Sequence, residues 1–478
     1  MENMDNAQLL GERRHRLSLI KKGIAHALFI GVVLVVLQGF YSLSLVGKIT
    51  NSVANKSHFM YFTQMYLKFC VMILTGLLVA FYWIKIYIAK DASSLAPLTF
   101  LKNNLILIPF AFMLIWALIS TIKSPFFEKS LYGAGYINEG YFTVLQYGII
   151  FLSAYAVRNE VKFSKPLLLW TFIVSAGVIC ICFTLIEITG YKIPTAIKCG
   201  VFNNSNHYGY FLAMSCTATF AAVVFSKCRW QLTLSSILLP FNVYELFVCN
   251  TLGANIAYMV GIFFIICSGA VAKKLSWWRL LIALGVSGLI TLLIEVFGRT
   301  NMWSSYVEFF KDIKSVFSSG DGSGGGSGGD NSSAGTGRFG LWKRTVAVIK
   351  QVPWFGKGLD LYHANNIYDT TLDVAHNEYL TMASNIGIPG LLAYVATMIW
   401  WFVRAIRMRK LLKGADLALM AAAVAYLVSA MFGNSFTYTY PYFLVFFALS
   451  IQNFVWKKRS DKQIKDAGDV VDNSESKS

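Results

Sequence analysis

The chain has 478 residues, of which 56% are apolar and only 14% are charged, and its 42 lysines and arginines against 24 aspartates and glutamates give a net charge of +18. A soluble domain usually carries about 25% charged residues, and a basic nucleic-acid-binding protein needs more charge on fewer apolar positions. The composition therefore excludes an ordinary soluble domain and argues against a nucleic-acid partner. It predicts a basic protein embedded in a phospholipid bilayer.

Apolar stretches long enough to cross a bilayer recur along most of the chain. The first follows a basic segment and lacks a small-residue cleavage site, which is typical of an uncleaved signal anchor. Together the stretches predict an all-α, polytopic membrane protein with about twelve transmembrane helices. The predicted spans cover residues 25–46, 64–87, 105–120, 142–157, 166–188, 208–226, 232–249, 252–270, 280–297, 386–403, 417–431 and 438–456.

The distribution of positive charge orients these spans, because cytoplasmic loops are enriched in lysine and arginine. With the N terminus in the cytoplasm, the cytoplasmic segments hold 27 lysines and arginines and the short outer loops hold six. Eight more lie in the one long outer segment. We therefore expect a multi-pass protein of the plasma membrane with both termini in the cytoplasm.

The spans divide the chain into five parts. A basic cytoplasmic tail covers residues 1–24, spans one to nine cover 25–297, and a long outer segment covers 298–385. Spans ten to twelve cover 386–456, and a disordered cytoplasmic tail covers 457–478. Because the outer segment is the only long polar stretch between spans, we expect any chemistry to occur there.

The outer segment begins with apolar residues spaced three and four apart from Trp303 to Phe317, which predicts a helix lying in the headgroup region. Residues 318–329 are almost all glycine and serine, as in a flexible tether. Apolar residues again follow a helical spacing from Arg338 to Lys350 and from His376 to Ser384, which predicts two further helices. Pro353 and Gly387 are expected to end these two helices.

Motifs for common cofactors are absent from the sequence. It contains no phosphate-binding glycine loop, no paired-cysteine site and no HExxH motif. We therefore expect no cofactor and no metal, and a substrate that reaches the outer face already activated.

Two segments of the outer region carry a specific pattern. GTGRFGLWKRTVAVIKQVPWFGKG begins at Gly335, and AHNEYLTMASNIGIPGLLAYV begins at Ala375. In their order and spacing they resemble the O-antigen ligase and polymerase family of bacterial envelope enzymes. The resemblance places Arg338 at the family arginine and His376 at the family histidine.

Two further segments support the resemblance. GVFNNSNHYGYFLA, from Gly200, is similar to the family's Gly-x-Phe-x-Asn-Pro-Asn pattern, with Asn204 and Asn206 at the asparagine positions and Ser205 replacing proline. LYGAGYINEGY, from Leu131, is similar to the outer loop of Gram-positive members. One position departs from the pattern, because Leu252 stands where many members have an arginine.

The resemblance implies transfer of a glycan from an undecaprenyl-diphosphate donor to an acceptor hydroxyl. Arg338 suits the leaving diphosphate, since a guanidinium binds phosphate oxygens bidentately and stays charged. His376 suits proton acceptance from the acceptor hydroxyl. It could instead bind the diphosphate or orient the acceptor, and Glu378 is the alternative base.

Several other residues are candidates for substrate binding. Each also has a structural explanation: asparagines cap helices, aromatic outer loops anchor proteins in the bilayer, and surface cations contact lipid headgroups. The candidates are Asn377, Asn204, Asn206, Glu139, Lys343, Arg344 and His363.

The sequence thus predicts a metal-independent glycosyltransferase that polymerises lipid-linked oligosaccharides at the outer face of a bacterial plasma membrane. A flippase and a chain-length regulator are possible partners. Within the family, a ligase that transfers glycan to lipid A or to a protein hydroxyl is the alternative. From another class, the alternative is a flippase or transporter of lipid-linked sugars, although transporters usually show internal repeats, and none is evident here.

Overall fold

The computed structural model describes residues 2–49, 55–90, 104–133, 139–189, 200, 202, 204–297, 304, 307, 336–361, 375–433 and 438–452. Within these ranges, the side chains of residues 2–10, 44–49, 55–61, 88–90 and 336–340 lie outside the description. The predicted headgroup helix falls almost wholly outside it, and so do the Gly/Ser tether and the C-terminal tail.

All regular secondary structure in the described ranges is helical, as the apolar runs predict. The helices are α1 (Glu2–Val36), α2 (Gln38–Ile49), α3 (Asn55–Lys90), α4 (Leu107–Lys123), α5 (Phe127–Tyr132), α6 (Tyr141–Glu160), α7 (Ser164–Thr189), α8 (Ser205–Phe225), α9 (Arg229–Val248), α10 (Leu252–Val271), α11 (Trp277–Val296), α12 (Thr336–Gln351), α13 (Glu378–Arg407), α14 (Gly414–Ser429) and α15 (Tyr440–Ser450).

Eight of the described helices are long and apolar enough to cross a membrane, and α4, α14 and α15 are shorter apolar helices. Each predicted span overlaps one of these helices or the 20-residue α6. The first predicted span is interrupted, since α1 ends at Val36 and α2 begins at Gln38. The all-α, polytopic fold is confirmed, while the number of crossings stays a prediction.

Helix α8 lies at the centre of the bundle, where it packs against α9, α10 and α14. Small side chains explain its close packing, because alanine and glycine let helix backbones approach one another. Ala218 and Ala221 of α8 and Ala422 of α14 are completely buried. The first turn of α8 is thereby held in a fixed position beside the ends of its neighbours.

Four of the five connections that the charge distribution assigns to the cytoplasm meet at one end of the bundle. Residues of the α6–α7, α8–α9, α10–α11 and α13–α14 connections line one common cavity there. Lys165 Nζ lies 2.6 Å from Asp416 Oδ1 and ties the start of α7 to the start of α14. The grouping agrees with the predicted alternation of sides, although which side faces the cytoplasm stays a prediction.

Candidate functional site

Helix α12, which carries Arg338, packs against α13. The Nε1 atom of Trp342 donates a hydrogen bond of 3.0 Å to the carbonyl oxygen of Ala375, the residue before His376. Arg338 lies four residues before Trp342, about one helical turn away, and its side chain lies outside the described residues. The fold therefore brings the arginine helix against the histidine segment, although the two are far apart in sequence.

His376 lies in a strained turn directly before α13. Its φ angle is +48°, a left-handed conformation that is uncommon for residues other than glycine and is enriched in histidine, asparagine and aspartate. Asn377 caps α13, because its Oδ1 accepts the backbone N–H of Leu380 at 3.1 Å. Such strain is found most often at functional sites, so the conformation adds a structural reason to consider His376.

A second histidine, His207, belongs to the same region. It is buried in the first turn of α8, with its ring centroid 5.8 Å from that of Tyr438. It lies close enough to His376 for the charges of the two imidazoles to interact. Sequence reasoning missed His207, although it directly follows Asn206 in the family-like segment.

The two candidate asparagines lie at the start of the same helix. Asn204 is the N-cap of α8, and its Oδ1 accepts the backbone N–H of Asn206 at 2.7 Å. Asn204 therefore has a structural role in fixing the turn that presents His207. Asn206 is half-buried one residue away from His207 and stays a candidate for sugar binding.

The carboxylate of Glu378, the alternative base, points into the protein. It is almost fully buried and accepts hydrogen bonds from Tyr394 Oη at 3.0 Å and Tyr426 Oη at 2.8 Å. Its backbone N–H donates to the carbonyl of Ala430 at 2.8 Å. These bonds favour a structural role for Glu378, since a carboxylate held by two phenols is less available to take a proton from a substrate.

The PWFGKG turn packs against a break in α13. At Gly387 the backbone leaves the helical conformation, with φ +76° and ψ 172°. The carbonyl oxygen of Pro353 accepts a hydrogen bond from the backbone N–H of Ile388 at 2.8 Å. The backbone N–H of Lys357 donates to the carbonyl oxygen of Ser384 at 2.9 Å. The expected stop at Gly387 is thus present as a kink between two helical parts.

Helix α4 holds the other side of the turn. Trp116 Nε1 donates to the carbonyl of Trp354 at 3.1 Å, and Ser124 Oγ donates to the carbonyl of Lys357 at 3.0 Å. The glycines of the two family-like motifs therefore have a structural function, because they let two backbones meet at hydrogen-bond distance. The result is a fixed position for residues 357–361.

A partly open cavity lies beside this turn. The carboxylates of Glu139, Asp360 and Glu378 contribute its polar part, and α4 contributes apolar residues such as Phe110 and Met113. Carboxylates can accept hydrogen bonds from the hydroxyl groups of a sugar, whereas they would repel a diphosphate. The cavity is therefore a candidate sugar site, and we expect the diphosphate on the side of α12.

Glu139 is held at this cavity by two neighbours. Tyr147 Oη donates to Glu139 Oε2 at 2.7 Å, and the backbone N–H of Glu139 donates to Asp360 Oδ2 at 3.0 Å. The structure thus joins the predicted binding residue to Asp360, which the sequence did not single out.

The other predicted cations are not gathered with the carboxylates. Lys343 and Arg344 are exposed on α12, where solvent or lipid headgroups can reach them. His363 lies outside the described residues. Among the described residues, no group of three histidines, cysteines, aspartates or glutamates is placed to hold a metal ion.

Comparison with known proteins finds one family match. The model of a family described as O-antigen ligase matches residues 237–395, a range that contains both Arg338 and His376. The match covers about a third of the chain, and this segment is similar to the O-antigen ligase family. The match supports a membrane glycosyltransferase or ligase of polysaccharide biosynthesis. A search of curated proteins finds no match.

Within the matched segment, Lys357 has an unusual environment. It is only 3% exposed, and burial lowers the pKa of its ammonium group to about 8, although the nearby carboxylate of Asp360 acts in the opposite direction. In the unfolded chain the group would keep its ordinary pKa near 10.5. Between these two values the unfolded chain binds more protons, so stability should rise with pH.

We therefore expect the Lys357→Met variant to lose a pH-dependent part of the stability. In the wild type, this group should add up to about 3 kcal/mol to the free energy of unfolding as pH rises from 8 to 10.5. The variant should lack that rise and should be the more stable protein at neutral pH. Thermal unfolding of both detergent-solubilised proteins over this pH range would measure the difference. Parallel pH profiles would contradict the expectation.

Proposed function

We propose that the protein joins undecaprenyl-diphosphate-linked oligosaccharide units at the outer face of a bacterial plasma membrane, as a polymerase of cell-surface polysaccharide. The hydrogen bond between Trp342 and Ala375 carries this proposal, because it brings the helix of Arg338 against the turn of His376. Each residue matches the family pattern independently, and the contact between Trp342 and Ala375 joins the two elements that carry them.

In the proposed reaction, the acceptor hydroxyl oxygen forms a bond to the anomeric carbon of the donor glycan. The bond between that carbon and the diphosphate oxygen breaks, and undecaprenyl diphosphate leaves. His376 takes the hydroxyl proton, while Arg338 stabilises the charge that develops on the diphosphate. Glu139 and Asp360 hold sugar hydroxyls in the neighbouring cavity.

The position of Leu252 favours a polymerase over a ligase. It is the first residue of α10, and the preceding Thr251 donates a hydrogen bond to the carbonyl of Ser205, so this position lies beside the first turn of α8. An arginine is common here in the family, and its replacement by leucine removes a cation near His207. A ligase that transfers glycan to lipid A or to a protein stays the alternative within the family.

The proposed reaction needs no metal ion, since Arg338 supplies the charge on the leaving-group side. We expect a purified and reconstituted enzyme to keep its transfer rate after treatment with a chelator. A loss that is restored by adding back a divalent cation would contradict this expectation. The flippase that supplies units and a chain-length regulator are the partners that such a polymerase would need.

Replacing Arg338 with alanine tests the proposal. Loss of one fixed donor to developing charge typically slows a reaction by about 10²- to 10³-fold, so the variant should accumulate single repeat units outside the cell. Lys350→Ala is a matched control, because Lys350 is an exposed cation at the other end of the same helix. Surface polysaccharide separated on a gel, at equal membrane levels of each protein, gives the readout.

Each outcome of this experiment has a defined meaning. Long polymer in the Arg338→Ala variant would exclude the assigned role. Units trapped inside the cell would indicate a flippase instead. Single units that still reach an acceptor such as lipid A in the wild type would indicate a ligase.

A further inference from the structure

We propose that a basic cavity at the end of the bundle opposite His376 binds the headgroup of an anionic phospholipid. The cavity is partly open and lies among the connections that carry most of the positive charge. This site is separate from the transferase site and does not depend on its mechanism.

Seven cationic side chains line the cavity. Arg158, Lys162 and Lys165 come from the α6–α7 connection and the start of α7. The others come from three different connections: Lys227, Lys274, Lys410 and Lys413. The chain therefore directs cations from four connections toward one space.

One carboxylate, that of Asp416, faces these cations among the described lining residues. It is already engaged, since Lys165 Nζ lies 2.6 Å from its Oδ1 and the backbone N–H of Lys413 donates to its Oδ2 at 2.8 Å. Cations around a shared cavity repel one another, and an anion between them relieves that repulsion. A phosphate group, with several acceptor oxygens, meets this need.

The walls of the cavity place it at the level of lipid headgroups. Trp170 lines it, and its ring centroid lies 5.1 Å from that of Trp230, which is exposed. Tryptophans at this depth are typical of the membrane–water interface. Leu169 and Phe225 add apolar surface for the glycerol and first acyl carbons. Basic pockets between helices on the cytoplasmic side of membrane proteins commonly bind anionic headgroups, so a lipid fits better than a soluble phosphate.

Orientation in the membrane alone does not explain this arrangement. Lys273, Arg407 and Arg409 belong to the same connections and satisfy the same positive-inside rule, yet they do not line the cavity. All three are exposed. They provide a matched set of cations with the same expected effect on insertion.

The test compares two triple variants of the full chain by native mass spectrometry in detergent with added phosphatidylglycerol. We expect K227Q/K274Q/K410Q to bind the lipid about ten-fold more weakly than the wild type, or weaker still, because each lysine near a lipid phosphate contributes substantially to affinity. The control K273Q/R407Q/R409Q should bind within about two-fold of the wild type. Both variants should elute from a size-exclusion column as the wild type does, which shows that they are folded.

Two results would overturn the proposal. Equal weakening in both triple variants would show that total positive charge, not the cavity, attracts the lipid. Saturable binding of inorganic pyrophosphate that depends on the cavity lysines, without retention of phosphatidylglycerol, would assign the cavity to a soluble phosphate compound.

Discussion

Replacing His376 with alanine is expected to slow glycan transfer by about 10²- to 10⁴-fold, the usual contribution of a general base. The variant should still bind the lipid-linked donor, because Arg338 is unchanged. Transfer is measured with the purified protein and an undecaprenyl-diphosphate oligosaccharide, by separating products on a gel. His15→Ala is a suitable control, since His15 is exposed in the N-terminal helix α1.

The backbone at His376 calls for a second variant. Because φ is +48° there, alanine adds backbone strain as well as removing the imidazole, and asparagine adopts this conformation more readily than alanine does. His376→Asn should therefore keep the turn and lose the titratable group. We expect both variants to lose activity. Activity retained in the asparagine variant would show that His376 serves the turn and not the proton transfer.

A His207→Ala variant distinguishes two roles of His376, which are proton acceptance and diphosphate binding. If His376 accepts the proton, His207→Ala should leave donor affinity unchanged and keep a pH dependence of the transfer rate that His376 sets. If His376 and His207 together bind diphosphate, His207→Ala should weaken donor binding instead. Donor affinity and the pH profile of the transfer rate thus distinguish a base from a phosphate ligand.

The helical fold was predictable from the sequence because spans are set by local hydrophobicity. Each predicted span corresponds to helical structure, and the helix ends near Pro353 and Gly387 follow from residues that interrupt helices. The break at Leu37, between α1 and α2, was not predicted, although Gly39 lies two residues later. Breaks of this kind depend on packing between helices.

The site was only partly predictable, for a related reason. Arg338 and His376 stand in recognisable motifs, whereas Asp360 and His207 become candidates only through tertiary contacts. Asp360 meets Glu139 because two distant turns pack together, and the imidazoles of His207 and His376 interact electrostatically although the two residues are far apart in the chain. Sequence patterns report neighbours along the chain, and they carry little information on which loops meet at the end of a helical bundle.

The glycines of the two family-like motifs have a physical role in the structure. In the sequence, the Gly-Ile-x-Gly and Pro-x-x-Gly-x-Gly patterns are parts of the family resemblance and lie near the two candidate catalytic residues. In the structure, Gly356 and Gly387 both adopt positive φ angles where two backbones touch. They support the site by fixing the turn that carries Asp360, so their substitution should affect stability before chemistry.

Replacing Gly387 with alanine should therefore destabilise the protein by about 3 kcal/mol or more. A φ of +76° with ψ of 172° is a conformation that is costly for residues with a side chain. A Cβ atom would also collide with the carbonyl oxygen of Trp354, and a rigid backbone contact cannot relax as a flexible side chain can. The loss is measured by thermal unfolding of the detergent-solubilised protein.

Gly288→Ala provides the matched control, because a Cβ atom at Gly288 in α11 meets no atom within 4 Å, and alanine is the better helix former by about 1 kcal/mol. That variant should be as stable as the wild type, or more stable. Gly356→Ala should resemble Gly387→Ala, since its Cβ would collide with the backbone of Asn385 on the other side of the same contact. The double variant should lose less than the sum of the two single losses, because either substitution already separates the turn from α13. Fully additive losses, or a Gly387→Ala variant as stable as Gly288→Ala, would show that the contact between the PWFGKG turn and the kink of α13 does not hold the site together.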